Sequence, residues 1–170
     1  MNPMHEIRIE KVTVNIGAGS DREQLERAVE LLQKITGKKP VRTKARKRIP
    51  TFGIRKGLEI GAKVTLRGQA AREFLDLCLR GKRHKLSPRA FDKTGNFSIG
   101  IKEYIELPGV KYDPKLGLMG MDVAVTLSRP GKRVAKRRRA RSKIGKKHRI
   151  TKEEAMEFAE KVLNVKLEDE

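Results

Sequence analysis

Residues Lys11–Gly19, KVTVNIGAG, decide the fold. Val12, Val14 and Ile16 alternate with Lys11, Thr13 and Asn15, the two-residue period of a strand with one buried face. Gly17 and Gly19 end it. Ser20 and Glu23 form a capping-box pattern, and Leu25, Ala28, Val29, Leu32 and Ile35 follow at helical spacing. Gly37 supplies a C-cap, and Pro40 prevents the helix from resuming. Further strands and helices follow. A short strand near Val41 leads into a long loop, after which Ile60, Ala62, Val64 and Leu66 alternate with Gly61, Lys63, Thr65 and Arg67. Gly68 opens a helix with Ala71, Phe74, Leu75, Cys78 and Leu79 on its inner face. Phe97, Ile99 and Ile101 mark a further strand, and Met121, Val123, Val125 and Leu127 another. Thr151 and Glu154 cap a last helix whose inner face holds Ala155, Phe158, Ala159, Val162 and Leu163. Elements in the order βα, ββα, ββα predict an α+β domain, an antiparallel sheet with helices packed on one face. The other face then presents Lys11, Thr13, Asn15, Lys63, Thr65 and Arg67, a polar and cationic surface suited to an RNA backbone.

Charge is distributed very unevenly over this frame. Lys38–Lys56 carries nine Lys/Arg in 19 residues and no acid; Arg129–Arg149 carries twelve in 21, again with no acid. The net charge is +20, so the remaining 130 residues together come to about −1 (20 − 9 − 12). A nearly neutral body thus bears two cationic arms. Closely spaced phosphates suit such arms best, because each Lys or Arg placed on a phosphate releases a condensed counterion. A merely solvated surface would interleave both signs.

Other chemistries find little support. The segment after the first strand fails as a dinucleotide fingerprint, since Arg22 stands where the third glycine would fall. His5, His84 and His148 are scattered, and no metal site, cofactor site, catalytic pair or nucleophile stands out. Cys78 on an apolar helix face reads as a core thiol, and a single cysteine suits a reducing, cytoplasmic setting. There is no apolar run of membrane-spanning length, and the terminal helix has an acidic polar face rather than the basic one a membrane surface would attract. Aromatic residues make up only 4% of the chain, with no Trp, so stacking on splayed single strands is a poor primary mode. Recognition of folded, A-form RNA by shape and backbone fits better.

Four stretches taken together resemble the large-subunit ribosomal protein number five family: KVTVNIGAG at Lys11–Gly19, ITGKKPVRTKARKRIPTFGIRKGLEIGAKVTLRG at Ile35–Gly68, FDKTGNFSIGIKEYI at Phe91–Ile105 and GMDV at Gly120–Val123. The likeness runs from Lys11 to about Leu127. A missing bacterial-type N-terminal helix and the added Arg129–Arg149 arm resemble the archaeal and eukaryotic branch. The resemblance implies a sheet of RNP-like topology and a protein that helps attach 5S rRNA to the central protuberance of the large subunit. It implies 5S rRNA contacts at Asn15, Gly17, Lys38 and Thr65; many bacterial members carry an amide where Lys38 would make an ionic contact. It further implies that the loop Lys44–Gly57 approaches P-site tRNA, through Arg46, Lys47, Arg48, Ile49, Thr51, Phe52 and Arg55. Implied protein neighbours are other central-protuberance proteins and a small-subunit head protein across an intersubunit bridge.

The second arm lies outside the bacterial pattern. Its Arg133, Lys136, Arg137, Arg138, Arg139, Arg141, Lys143, Lys146 and Lys147 are candidate ligands for large-subunit rRNA, in a segment expected to order only against RNA. The expected division is an RNA-binding body over 1–128, with its loop at 44–57, an arm over 129–150, and a C-terminal helix with an acidic tail over 151–170. The function expected is structural, in the cytoplasmic ribosome, with no catalysis; the alternative is a free-standing RNA chaperone or rRNA-processing factor.

Overall fold

Strand β1 (Arg8–Gly17) is hydrogen-bonded on both sides and forms the middle of the domain in the computed structural model, which describes residues 2–168. Met1 and the end of the expected acidic tail, Asp169 and Glu170, lie outside the described residues. The chain continues through α1 (Arg22–Thr36), β2 (Val41–Lys44), β3 (Glu59–Leu66), α2 (Gln69–Gly81), β4 (Lys85–Leu86), β5 (Phe97–Ile101), β6 (Met121–Ser128), α3 (Arg133–Lys136), α4 (Lys152–Leu163) and β7 (Lys166–Leu167). Five strands form one antiparallel sheet in the order β2-β3-β1-β6-β5, so the fold is of the expected α+β class.

Pleating sorts the side chains. Val12, Val14, Ile16, Ala62, Val64, Leu66, Val123, Val125 and Leu127 are all buried on one face. Leu25, Ala28, Leu31 and Leu32 of α1, the five expected inner residues of α2, and Ala155 and Ala159 of α4 join them in a single core. Each fully buried Leu or Val contributes on the order of 1.5–3 kcal/mol by leaving water.

Two helix details depart from the sequence reading. The N-cap of α1 is Asp21 rather than Ser20, its carboxylate accepting the Glu23 amide at 2.9 Å. An acceptor one residue later wins because the helix begins at Arg22. In α4 the Thr151–Glu154 capping box is formed, but Val162 is 59% exposed, because it faces the open cleft between α2 and α4 while Leu163 beside it packs on the core. The sequence reading also missed α3 and the two-residue parallel pair of β4 with β7, which are too short to carry a period.

The second basic stretch leaves and rejoins the body at one place. Arg129 is buried, with its guanidinium donating to the carbonyl oxygens of His5 at 3.0 Å and Arg149 at 3.3 Å and to the Glu154 carboxylate at 2.7 Å. The arm's two ends, the N-terminal segment and α4 therefore meet on one side chain. Farther along, Lys132 (2.9 Å) and Lys136 both pair with Glu10, the extra residue of a β-bulge in β1. Burial pushes the Glu10 carboxyl up, but bonds from Lys136 and Lys132 more than offset this and hold it below its ordinary value.

Gly61 is a site of forced approach: a Cβ there would stand 2.6 Å from the Ile16 carbonyl oxygen, whereas one on the neighbouring Gly17 would meet nothing. Gly61→Ala should therefore lose about 1–3 kcal/mol in urea unfolding, with Gly17→Ala within about 0.5 kcal/mol of the parent. Equal effects would contradict the pairing of Gly17 with Gly61. A depressed carboxyl stabilises the native state above its ordinary value, and that contribution disappears as pH falls through the lowered native value. Glu10→Gln should thus cost about 1–2 kcal/mol at neutral pH and flatten the loss of stability below pH ~4.5. It should also speed tryptic cleavage within Arg137–Arg141 several-fold; an unchanged digestion rate would mean that Glu10 does not hold the arm.

Candidate nucleic-acid interface

Burying the apolar face of the sheet leaves the other face in solvent. Register places Thr13 between Thr65 and Ala124, and Asn15 between Lys63 and Asp122. Lys63 and Thr65 are exposed, while Lys11, Thr13 and Asn15 are half-buried at the centre of the sheet. Neither the Asn15 amide nor the Thr65 hydroxyl is committed to a partner among the described residues. Sequence reasoning missed how far this face extends. Ser98 and Gly100 of β5 and Asp122, Ala124 and Thr126 of β6 continue it, as the alternation in those strands could have shown. Asp122 alone among these brings negative charge. The surface is broad, small-featured and hydrogen-bonding, the relief over which a sugar–phosphate backbone can lie.

The residues implied for 5S rRNA are strung along this face, from Gly17 at one end of the β1–β3 pairing to Thr65 near the other. Gly17 pairs with Gly61, two residues from the Asn15–Lys63 pair, and Thr65 lies two residues further along β3. On the outer side Val41 pairs with Lys63. Lys38 is exposed in the short link from the left-handed Gly37 cap of α1 to β2, ahead of Val41 and so on the Thr65 side of the Val41–Lys63 pair. Lys39 is exposed beside it and Lys44 at the far end of β2, but Arg42 is held between Glu26 (2.7 Å) and Glu59 (3.2 Å).

The loop Lys44–Gly57 has a definite shape. At its base Ala45 is buried, its N–H donating to Leu58 O at 2.8 Å and its carbonyl accepting from Gly57 N at 2.9 Å. Near its tip Ile49 and Ile54 exchange backbone hydrogen bonds of 2.9 and 3.1 Å. Pro50–Phe52 form one turn of 3-10 helix, and Gly53 closes it at φ +65°. Ile54 is buried, because the backbone pairing folds the loop back on itself. Phe52 remains 67% exposed at the tip, and Thr51 is exposed next to it. Arg46, Lys47, Arg48 and Arg55 surround them, exposed and with no acidic partner among the described residues.

In the second arm, Lys136 is occupied by Glu10, and Arg137 Nε donates to Ala140 O at 2.7 Å. Arg133, Arg138, Arg139, Arg141, Lys143, Lys146 and Lys147 are exposed or nearly so and carry no acidic partner among the described residues. Cys78 is buried, and burial pushes its thiol up to about 12, so it stays protonated in the core. Among the described residues no three His, Cys, Asp or Glu side chains come together as metal ligands, and no helix is long and apolar enough to cross a membrane.

Comparison with known proteins bears on the same segments. A family model described as "Ribosomal protein L5" matches residues 2–55, and a second model, for the C-terminus of the same ribosomal family, matches residues 59–158. The chain is 54% identical over 166 residues to the large ribosomal subunit protein uL5 of Sulfurisphaera tokodaii, covering 97% of this chain and 94% of that one. It is 53% identical to uL5 of Pyrobaculum aerophilum, over 98% of this chain and 93% of its relative, and 50% identical to uL5 of Nanoarchaeum equitans, over 98% of each. These likenesses include the arm as well as the body, and they decide between a ribosomal protein and a free-standing RNA factor. The chain belongs to the ribosomal protein L5 family: it is a structural, non-enzymatic protein of the large ribosomal subunit, at home in the ribosome.

Proposed function

We propose that this protein binds 5S rRNA through the open face of its sheet and helps attach it to the central protuberance. The observation that carries the reading is the uncommitted polar groups of Asn15 and Thr65 on a face with a single acid, beside Lys63 and the approach from Lys38. Hydroxyl and amide groups can exchange hydrogen bonds with ribose 2′-hydroxyls and base edges, while Lys63 and Lys38 neutralise phosphate. The exposed Gly17 amide end of β1 lets a backbone approach closely, since nothing crowds that position. The resemblance of Lys11–Gly19 and Ile35–Gly68 to the family's 5S-binding segments supports the same placement.

The hairpin loop is proposed to reach P-site tRNA. Its folded tip offers Phe52 and Ile49 for apolar contact with an exposed sugar or base, ringed by Arg46, Lys47, Arg48 and Arg55 for phosphates. The arm over 129–150 is the part proposed to meet large-subunit rRNA, with 1–128 as the body and the C-terminal helix over 151–170 closing the arm's base. Other central-protuberance proteins, and a small-subunit head protein met across an intersubunit bridge, complete the proposed surroundings.

Two measurements test these assignments. The affinity for 5S rRNA should fall with salt at a slope of log K against log salt on the order of −3 to −6, as several phosphates are neutralised. Asn15→Ala and Thr65→Ala should each weaken that binding by about 1–2 kcal/mol while leaving the slope almost unchanged. Loss of about one unit of slope from either variant would move the specific contacts elsewhere. Separately, replacing Arg46–Arg55 by a short Gly/Ser link should spare 5S rRNA binding and subunit assembly but accelerate dissociation of P-site tRNA several-fold. Unchanged tRNA dissociation with defective assembly would instead make the loop an rRNA anchor.

A further inference from the structure

The seam between the second arm and the body is hollow. A pocket of about 370 Å³ opens there, within the size range of small-ligand sites. Its walls come from three separate parts of the chain: the turn before β5, the end of β6, and both halves of the arm. Leu127, Ala135, Ile144 and Ile150 give it an apolar lining. No carboxylate lines it, which distinguishes it from the larger cleft of about 770 Å³ between α2 and α4, where Glu6, Asp76, Glu154 and Glu157 would repel phosphate.

Two of the four Lys/Arg residues in the lining are committed elsewhere: Arg129 to its three partners and Lys132 to Glu10. Lys143 and Arg149 are exposed at the mouth without an acidic partner among the described residues. His148 supplies a fixed flat wall. Its Nε2–H donates to Pro130 O at 2.8 Å, and its ring stands edge-on to His5 at 5.8 Å, so the plane cannot turn freely. On the opposite strand turn, the Asn96 amide nitrogen donates to Asp92 (3.0 Å) and Thr94 (2.9 Å). That orientation leaves the Asn96 amide oxygen as an acceptor without a partner among the described residues.

We infer that this pocket receives one unstacked nucleotide of folded RNA, its base against the apolar lining and His148 and its phosphate between Lys143 and Arg149. The inference rests on the reading of the arm as an rRNA ligand and gives that contact a specific form. A lone phosphate would have no use for four aliphatic side chains, and an aliphatic side chain of a protein would gain nothing from two free cations. A nucleotide uses both, with the Asn96 oxygen placed to accept from an exocyclic amine or ring N–H. The pocket exists only while the arm is seated, so filling it also fixes the arm.

Full-length protein would be titrated with A-form RNA hairpins that differ only at one bulged position, which carries adenosine, uridine or an abasic residue. Phosphate count and overall shape are then the same in all three. At least one base-bearing hairpin should bind about tenfold tighter than the abasic one, the scale of a single base contact. Ala135→Leu, which fills the pocket, should abolish that difference and leave abasic-hairpin affinity unchanged. Ile144→Ala, which removes lining without filling the space, should reduce the difference several-fold. Equal binding of all three hairpins by the parent protein would overturn the inference, as would variants that weaken base-bearing and abasic hairpins alike. 5S rRNA binding on the same samples reports the open sheet face independently; its absence with discrimination intact would overturn the face reading and leave the pocket standing.

Discussion

A strand has two faces, and β1 commits one of them completely. With Val12, Val14 and Ile16 at 0–2% exposure under α1 and α2, Lys11, Thr13 and Asn15 have no route into the core. Because β1 sits between β3 and β6, its register also sets theirs: Val64 and Val123 turn inward with Val14, and Lys63 and Asp122 turn outward with Asn15. A slip of one residue anywhere in this central strand would put charge into the core and valines into solvent. The hydrophobic core and the open polar surface are therefore two readings of one alternation. Neither can drift without the other.

The chain's few acids near the basic stretches have a second kind of work. Glu26 and Glu59 hold Arg42, Glu10 holds Lys132 and Lys136, and Glu154 holds Arg129. In each case the carboxylate belongs to the body or to α4 and the cation to a basic stretch. Among the described residues, neutralisation is confined to Arg42 in the first stretch and to Arg129, Lys132 and Lys136 in the second. The outer cations face one another across solvent with no counter-charge among the described residues, so their mutual repulsion falls when a polyanion arrives. Local ion pairing thus fixes where each basic segment starts, and the lack of pairing beyond that point leaves it open to a partner.

Much of this was legible in the sequence because alternation and helical spacing report burial directly. The inner residues of α2, β5 and β6 read correctly, as did the capping box of α4 and the thiol of Cys78. What stayed hidden depends on contacts between residues far apart in the chain. That Lys136 is engaged while Lys143 is not follows from a bulge at Glu10, 126 positions away. Ile54 is buried because of pairing across a turn whose residues show no period. The pocket at the arm's seam needs Thr94, Ala135 and Ile150 side by side, and nothing in their spacing announces it. Charge runs tell that a segment seeks phosphate, not how the segment is held while it waits.

The convergence of bonds on Arg129 has a temporal side. Its partner His5 leaves the ribosome early in synthesis, whereas Glu154 lies 25 residues beyond Arg129 and is made only after the entire arm. At typical rates of 5–20 residues per second, the span from Arg129 to Glu154 takes roughly one to five seconds to translate. Until Glu154 has emerged and docked, the arm is a tethered polycation with one end loose, in surroundings crowded with RNA. Rapid docking of α4, helped by its ready-made cap at Thr151 and Glu154, shortens that exposure. The last helix is therefore as much a clasp against premature adhesion as a piece of the core.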